Sequence, residues 1–98
     1  MADKNKEVKI VNNRFLGDSI GILDKNRDEI CCGCEIKGKR HVRDNFMGHG
    51  GTRVIEFEGT VIYEDQYAQF IVKTEEGFFG FKEGNIIHAS LEVIGKSF

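Results

Sequence analysis

Three thiols and two imidazoles lie within one short span: Cys31, Cys32 and Cys34 in "ICCGCE", followed by His41 and His49. Zinc takes four ligands of these types, and a strong sequence signal presents them as two pairs spaced to close on one ion. The only close pair here is Cys32 and Cys34, with no C-x-x-C or H-x-x-x-H partner. Residues two apart on a strand share a face, but the strand and not the metal then fixes the sulfurs. The metal candidates are therefore Cys32, Cys34, His41 and His49, and the spacing predicts that they hold no metal and that no cofactor is required. The competing reading makes Cys31 a small apolar core residue, as free cysteine often is, with Cys32 and Cys34 on the opposite face. A nucleophilic or redox cysteine needs a stabilised thiolate. The cations from Lys37 onward supply a field but no dyad, and no carboxylate pair or triad spacing is visible, so the chain is expected not to be an enzyme.

Two further stretches carry binding chemistry. "KGKRHVR", Lys37 to Arg43, concentrates cations that suit phosphate contacts, and a solvated charged loop is the ordinary explanation for such a run. Sequence-tolerant nucleic-acid binders also need aromatics beside the basic groove, and the nearest is Phe46. "MGHGGTRV", Met47 to Val54, has the glycines of a phosphate-cradling loop but runs into a strand pattern instead of a helix and lacks the Gly-Lys-Ser/Thr ending. A loop between strands is expected there, with Thr52 and Arg53 as possible contacts to a small anion. The candidate binding residues are thus Lys37, Lys39, Arg40, Arg43, Thr52 and Arg53.

The elements that must position these residues read as strands. With 98 residues the chain is expected to form a single domain. It has 12 glycines and no proline, so its turns must be built from Gly, Asn and Asp. "TRVIEFEGTVIY" alternates with a period of two, a polar break follows at Glu64 to Gln66, and a hairpin turning at Glu75 to Gly77 joins strands through Lys73 and Phe81. "IIHASLEVIG" supplies one or two more short strands. Earlier, "EVKIVNNRF" reads as an opening strand and "SIGILDKNRDEICCGCEIK" as strand, turn, strand. "RHVRDNFMG" offers at most one helical turn. The expected architecture is a mainly β, small SH3-like barrel: a less regular N-terminal β segment over about residues 1–50 and a barrel core over about 51–98. Because Phe78 and Phe79 are neighbours on a strand, one must face away from the core. That predicts a second apolar surface, covered by the N-terminal half or buried between subunits.

The net charge of -2 argues against a general polyanion binder. The charge is uneven, with 11 Lys/Arg against 8 Asp/Glu through Arg53 and 3 against 8 beyond it. No apolar run approaches the roughly 20 residues of a membrane span, and "MADKNKEVK" lacks the apolar core of a signal peptide. An odd number of cysteines, two of them adjacent, fits free thiols in a reducing compartment. A cytoplasmic protein without membrane contact is expected.

"GILDKNRDEICCG" resembles a pattern of the YopX family of phage and prophage proteins, Gly-Leu-x-Asp-Lys-Asn-Gly-Lys-Glu-Ile-Tyr-Glu-Gly-Asp. Gly21, Asp24, Lys25, Asn26, Glu29, Ile30 and Gly33 match without a gap. "LEVIG", Leu91 to Gly95, resembles the family's closing strand, and the similarity in layout extends over Ile20 to Gly95. Arg27 stands where the family commonly has Gly, which predicts a different turn. The three cysteines stand where it has Tyr, Glu and Asp. The resemblance implies a fold and a phage origin, and no catalytic set. The function it suggests is a small non-enzymatic protein of the bacterial host cytoplasm, self-associating, that modulates a host or phage protein such as a defence component. The alternatives are a protein that sequesters a small molecule or nucleotide, and a nucleic-acid-binding protein.

Overall fold

The alternating stretch from Thr52 belongs to the longest strand of a mainly β molecule. The computed structural model describes residues 15–44 and 51–98. Seven strands follow one another: β1 (Ser19–Leu23), β2 (Glu29–Cys31), β3 (Cys34–Asp44), β4 (Gly51–Glu64), β5 (Gln69–Thr74), β6 (Gly77–Gly80) and β7 (Ile86–Lys96). There is no helix among the described residues, and so none long and apolar enough to cross a membrane. β1 and β2 form a two-stranded sheet, and the others a five-stranded sheet in the order β6-β5-β4-β3-β7; neither sheet closes on itself. All pairings are antiparallel.

Period-two alternation sends one face of each strand inward. Cys34 and Ile36 of β3, Phe57 and Val61 of β4, Val72 of β5 and Leu91 of β7 form the buried cluster with Ile30 of β2. Ile20, Ile22 and Cys31 bring the β1–β2 hairpin against it, so the small sheet covers the inner face of the large one. At the far end of β4, the Phe15 ring meets Tyr63 at a tilt, 4.4 Å between ring centroids, and Phe70 edge-on at 5.8 Å.

Several expectations are corrected. The basic run is a strand and not a loop: Lys37 to Arg43 lies inside β3, between β4 and β7. Arg40 to Asp44 is likewise extended and not a helical turn. The tail forms one strand of 11 residues. Strand β3, from the first half of the chain, is flanked on both sides by strands of the second half. The cysteine faces are reversed: Cys32 and Cys34 are fully buried and Cys31 is only partly so. The reason is the turn at Cys32 and Gly33, which interrupts the alternation that a continuous strand would impose. Gly33 has φ of +97°, and a Cβ there would come within 2.8 Å of the Phe98 ring and 2.6 Å of Leu16, so this corner requires glycine. Its N–H donates to the Val61 carbonyl and its carbonyl accepts from Ser97. The opening strand expected from Glu7 to its end at Asn12 and Asn13 falls outside the described residues, as do Phe46, Met47 and His49.

Candidate partner-binding ribbon

Three of the six candidate binding residues, Arg43, Thr52 and Arg53, sit on the outer part of the β3–β4 hairpin, and Lys37, Lys39 and Arg40 lie at its base beside β7. The β3–β4 ladder runs without interruption from Glu35↔Thr60 to Asp44↔Gly51. Its flanking strands stop earlier: β7 leaves β3 at Arg40↔Ile86, and β5 joins β4 only from Thr60↔Lys73. The pairs His41↔Val54, Val42↔Arg53, Arg43↔Thr52 and Asp44↔Gly51 therefore project beyond both neighbours as a two-stranded ribbon. The molecule is accordingly elongated, 46 × 31 × 24 Å.

Register decides what the cations meet. Lys37 is opposite Glu58 and Lys39 opposite Glu56 on β4, while Glu92 is the β7 partner of Lys37. Glu92 Oε1 lies 3.2 Å from Lys25 Nζ and 3.7 Å from Lys37 Nζ. A cleft of about 510 Å³ here is lined by the three lysines Lys25, Lys37 and Lys39 and the three glutamates Glu56, Glu58 and Glu92, so it offers no net positive field to a phosphate. The glutamates were legible as outward residues of an alternating strand; their pairing with the basic run required the register.

Arg40 is on the other face. Its guanidinium lies over the Phe79 ring at 4.2 Å and donates from Nη1 to the Gly84 carbonyl at 3.1 Å. Phe79 is held edge-on by Phe57, at 5.0 Å between centroids. Arg40 is thus a wedge at the ribbon's base and is committed to structure. Arg43 and Thr52 do meet across the ladder, beside a shallow recess of about 580 Å³ that also includes His41 and Asn85. Arg53 is on the opposite face of the ribbon from Arg43, because strand neighbours Thr52 and Arg53 point to opposite sides.

Two polar side chains fasten β7, Ser90 to β3 at the ribbon's base and Asp24 to the β1–β2 turn. β7 bulges between Glu92, paired with Lys37, and Ile87, paired with Lys39. The Ser90 hydroxyl fills the gap: Oγ accepts from the Lys39 N–H at 2.8 Å and donates to the Ile87 carbonyl at 2.6 Å. Asp24, 5% exposed, accepts from the amides of Asn26 and Asp28 on Oδ1 and from that of Val93 on Oδ2, fastening the β1–β2 turn to β7. Burial pushes its carboxyl up, but these three amides and Lys25 outweigh burial and hold it below the ordinary 3.8.

The cysteines are part of the core. Burial pushes the Cys31 and Cys32 thiols above their ordinary value, which disfavours the thiolate that a nucleophile or metal ligand must supply. Among the described residues no group of three or more His, Cys, Asp or Glu is placed to hold a metal ion. His41 is exposed on the ribbon, away from the buried Cys32 and Cys34.

No family model, curated protein or solved structure matches the chain.

Proposed function

We propose that the chain is a small non-enzymatic binding protein of YopX-like phage type, that it acts on a host or phage protein in the bacterial cytoplasm, and that the β3–β4 ribbon meets the partner. The observation that carries this reading is the ribbon's reach: ten paired positions, of which the outer four lie beyond both flanking strands. Projecting ribbons offer side chains on two faces and backbone groups on two edges, with Val54 49% exposed near the tip.

The YopX resemblance is supported by what its shared positions do. The pattern carries glycine at 21, 27 and 33, and all three positions have positive φ here, with Arg27 at +67°. Its Asp24 is the buried carboxylate that closes the turn. The finer architecture proposed is SH3-like, with β3 to β6 as a meander, β7 returning beside β3, and the β1–β2 hairpin over the inner face. Self-association belongs to the same proposal, through exposed apolar residues such as Phe78 and Ile94. Native mass spectrometry of the untagged protein tests it.

The direct test replaces residues 41–54 by Asn-Gly, leaving Arg40 and Ile55 as the last pair. The shortened protein should keep the far-UV circular dichroism and cooperative unfolding of the parent and lose its partner in a pull-down from bacterial lysate. Retention of the partner would move the binding surface elsewhere. A second reading, an anionic small molecule or nucleic acid, is favoured only by Arg43 and Thr52 at the recess; it predicts binding that weakens steeply with salt.

A further inference from the structure

The outer edge of β4 has a definite polarity that follows from two hydrogen bonds on the other side of β3. The Lys39 N–H donates to Ser90 Oγ and the His41 N–H to the Asn85 carbonyl, so odd-numbered residues of this part of β3 turn their backbone groups toward β7. The even-numbered ones, Arg40 and Val42, turn theirs toward β4 and their partners Ile55 and Arg53. Along β4, then, Thr52, Val54, Glu56 and Glu58 direct N–H and C=O outward. Among the described residues no strand pairs with that edge before Thr60.

A notch of about 120 Å³ opens beside this edge. Ile55, Glu56 and Phe57 form one wall, and the β5–β6 turn with Glu76 and Phe78 forms the other. Two of its charged groups, Glu56 and Glu76, are carboxylates, whereas its one guanidinium, Arg40, is engaged by Phe79 and Gly84. Glu58 continues the acidic character along the edge, and Glu75 adds to it at the turn. An extended segment laid along β4 would find four outward-directed residues for its backbone, Ile55 and Phe57 for apolar side chains on one face, and the carboxylates of Glu56 and Glu58 for cations on the other.

We infer that the outer edge of β4 from Thr52 to Glu58 accepts, as an added antiparallel or parallel strand, an extended peptide segment in which basic residues alternate with apolar ones. This rests on the reading of the chain as a binding protein and names the chemistry of its partner. Backbone hydrogen bonds supply the affinity and the carboxylates of Glu56 and Glu76 supply the selection for lysine or arginine.

The probe is the blocked peptide Thr-Lys-Val-Lys-Val-Lys-Thr, with Thr-Glu-Val-Glu-Val-Glu-Thr as its counterpart, added to the ¹⁵N-labelled full chain. The lysine peptide should slow amide hydrogen exchange by about tenfold or more at Thr52, Val54, Glu56 and Glu58, leaving the intervening residues little changed, and should bind at least about tenfold tighter than the glutamate peptide. Val54→Pro removes one outward N–H without touching the β3–β4 ladder and should abolish the protection. Glu76→Lys, in the turn, should weaken the lysine peptide and reverse the preference even if the proline variant fails to fold. Absence of slowed exchange at these amides, or slowing elsewhere, overturns the inference. The same four amides protected by self-association without peptide would assign the edge to a second copy and also overturn it. Loss of the partner by the ribbon-shortened protein is read separately, so strand addition can fail while the binding reading stands.

Discussion

Asp24 shows how much of a site one residue type foretells. In "LDKNRDE" an Asp before Lys-Asn announces a turn, because its carboxylate can accept from amides two and four residues on, as it does here at 2.8 Å each. Its third bond, to Val93 at 2.9 Å, spans 69 residues and leaves no trace in local sequence. Asp24→Asn keeps the size but not the charge, and places an NH₂ where one amide now donates. It should lower stability by about 2–3 kcal/mol at neutral pH, measured by urea unfolding. The sign of the pH dependence follows from the lowered carboxyl: the ionised form is favoured in the folded state, so the contribution is full above the ordinary 3.8 and is lost as pH falls through the lower folded value. The parent should therefore lose stability below about pH 4 more steeply than Asp24→Asn. The cysteines teach the opposite lesson. Their burial depends on a corner at Gly33 that the period-two pattern cannot express.

Turns and bulges set the accuracy with which elements were legible. β1, β2, β4, β5 and β6 follow their hydrophobic alternation and the turn residues around them, and the β5–β6 turn falls at Glu75 and Glu76 where glycine follows. β3 was legible only as far as Lys37, because beyond it the outward side carries Lys39, His41 and Arg43 and the inward side contains Gly38 and Arg40, neither an apolar marker. The β1–β2 connection closes with the Arg27 N–H on the Asp24 carbonyl and the Asp24 N–H on that of Asp28. Arg27 then occupies the left-handed conformation that glycine adopts freely. The turn therefore keeps the glycine-type geometry despite the arginine, and Arg27→Gly should raise stability or leave it unchanged within about 1 kcal/mol, because relief of strain competes with the larger entropy of an unfolded glycine. At the β7 bulge, Ser90→Ala strips the acceptor from the Lys39 N–H and should cost about 1–2 kcal/mol. Thermal unfolding followed by circular dichroism reads both.

Across the whole molecule the ribbon and the body differ in support. Body strands such as β3 from Glu35 to Arg40 have a neighbour on each side, whereas Thr52, Val54 and Glu56 send their amides to solvent. Hydrogen exchange of the unbound protein should therefore be fast at these three residues and slowest at Ile36, Val61 and Val72, which are fully buried within the five-stranded sheet. A flat profile across ribbon and body would contradict the pairing. Sequence alone indicated the candidate residues here, through charge, but not that Lys37 and Lys39 stand opposite Glu58 and Glu56, with Glu92 beside Lys37.

The place of β7 has a kinetic meaning. It is the last strand of the chain, yet it lies beside β3, with the β4–β6 meander between them in sequence, and its Leu91 fills the same cluster as Ile36 and Val61. Ser90 meets Lys39 across 51 residues. The meander can assemble from local hairpins, but it has no complete interior until this long loop closes. Docking of β7 is thus the step that commits the chain to its native state, with folding expected on the millisecond-to-second scale of β proteins rich in non-local pairings. During synthesis, the β3 edge must wait unpaired until its partner emerges.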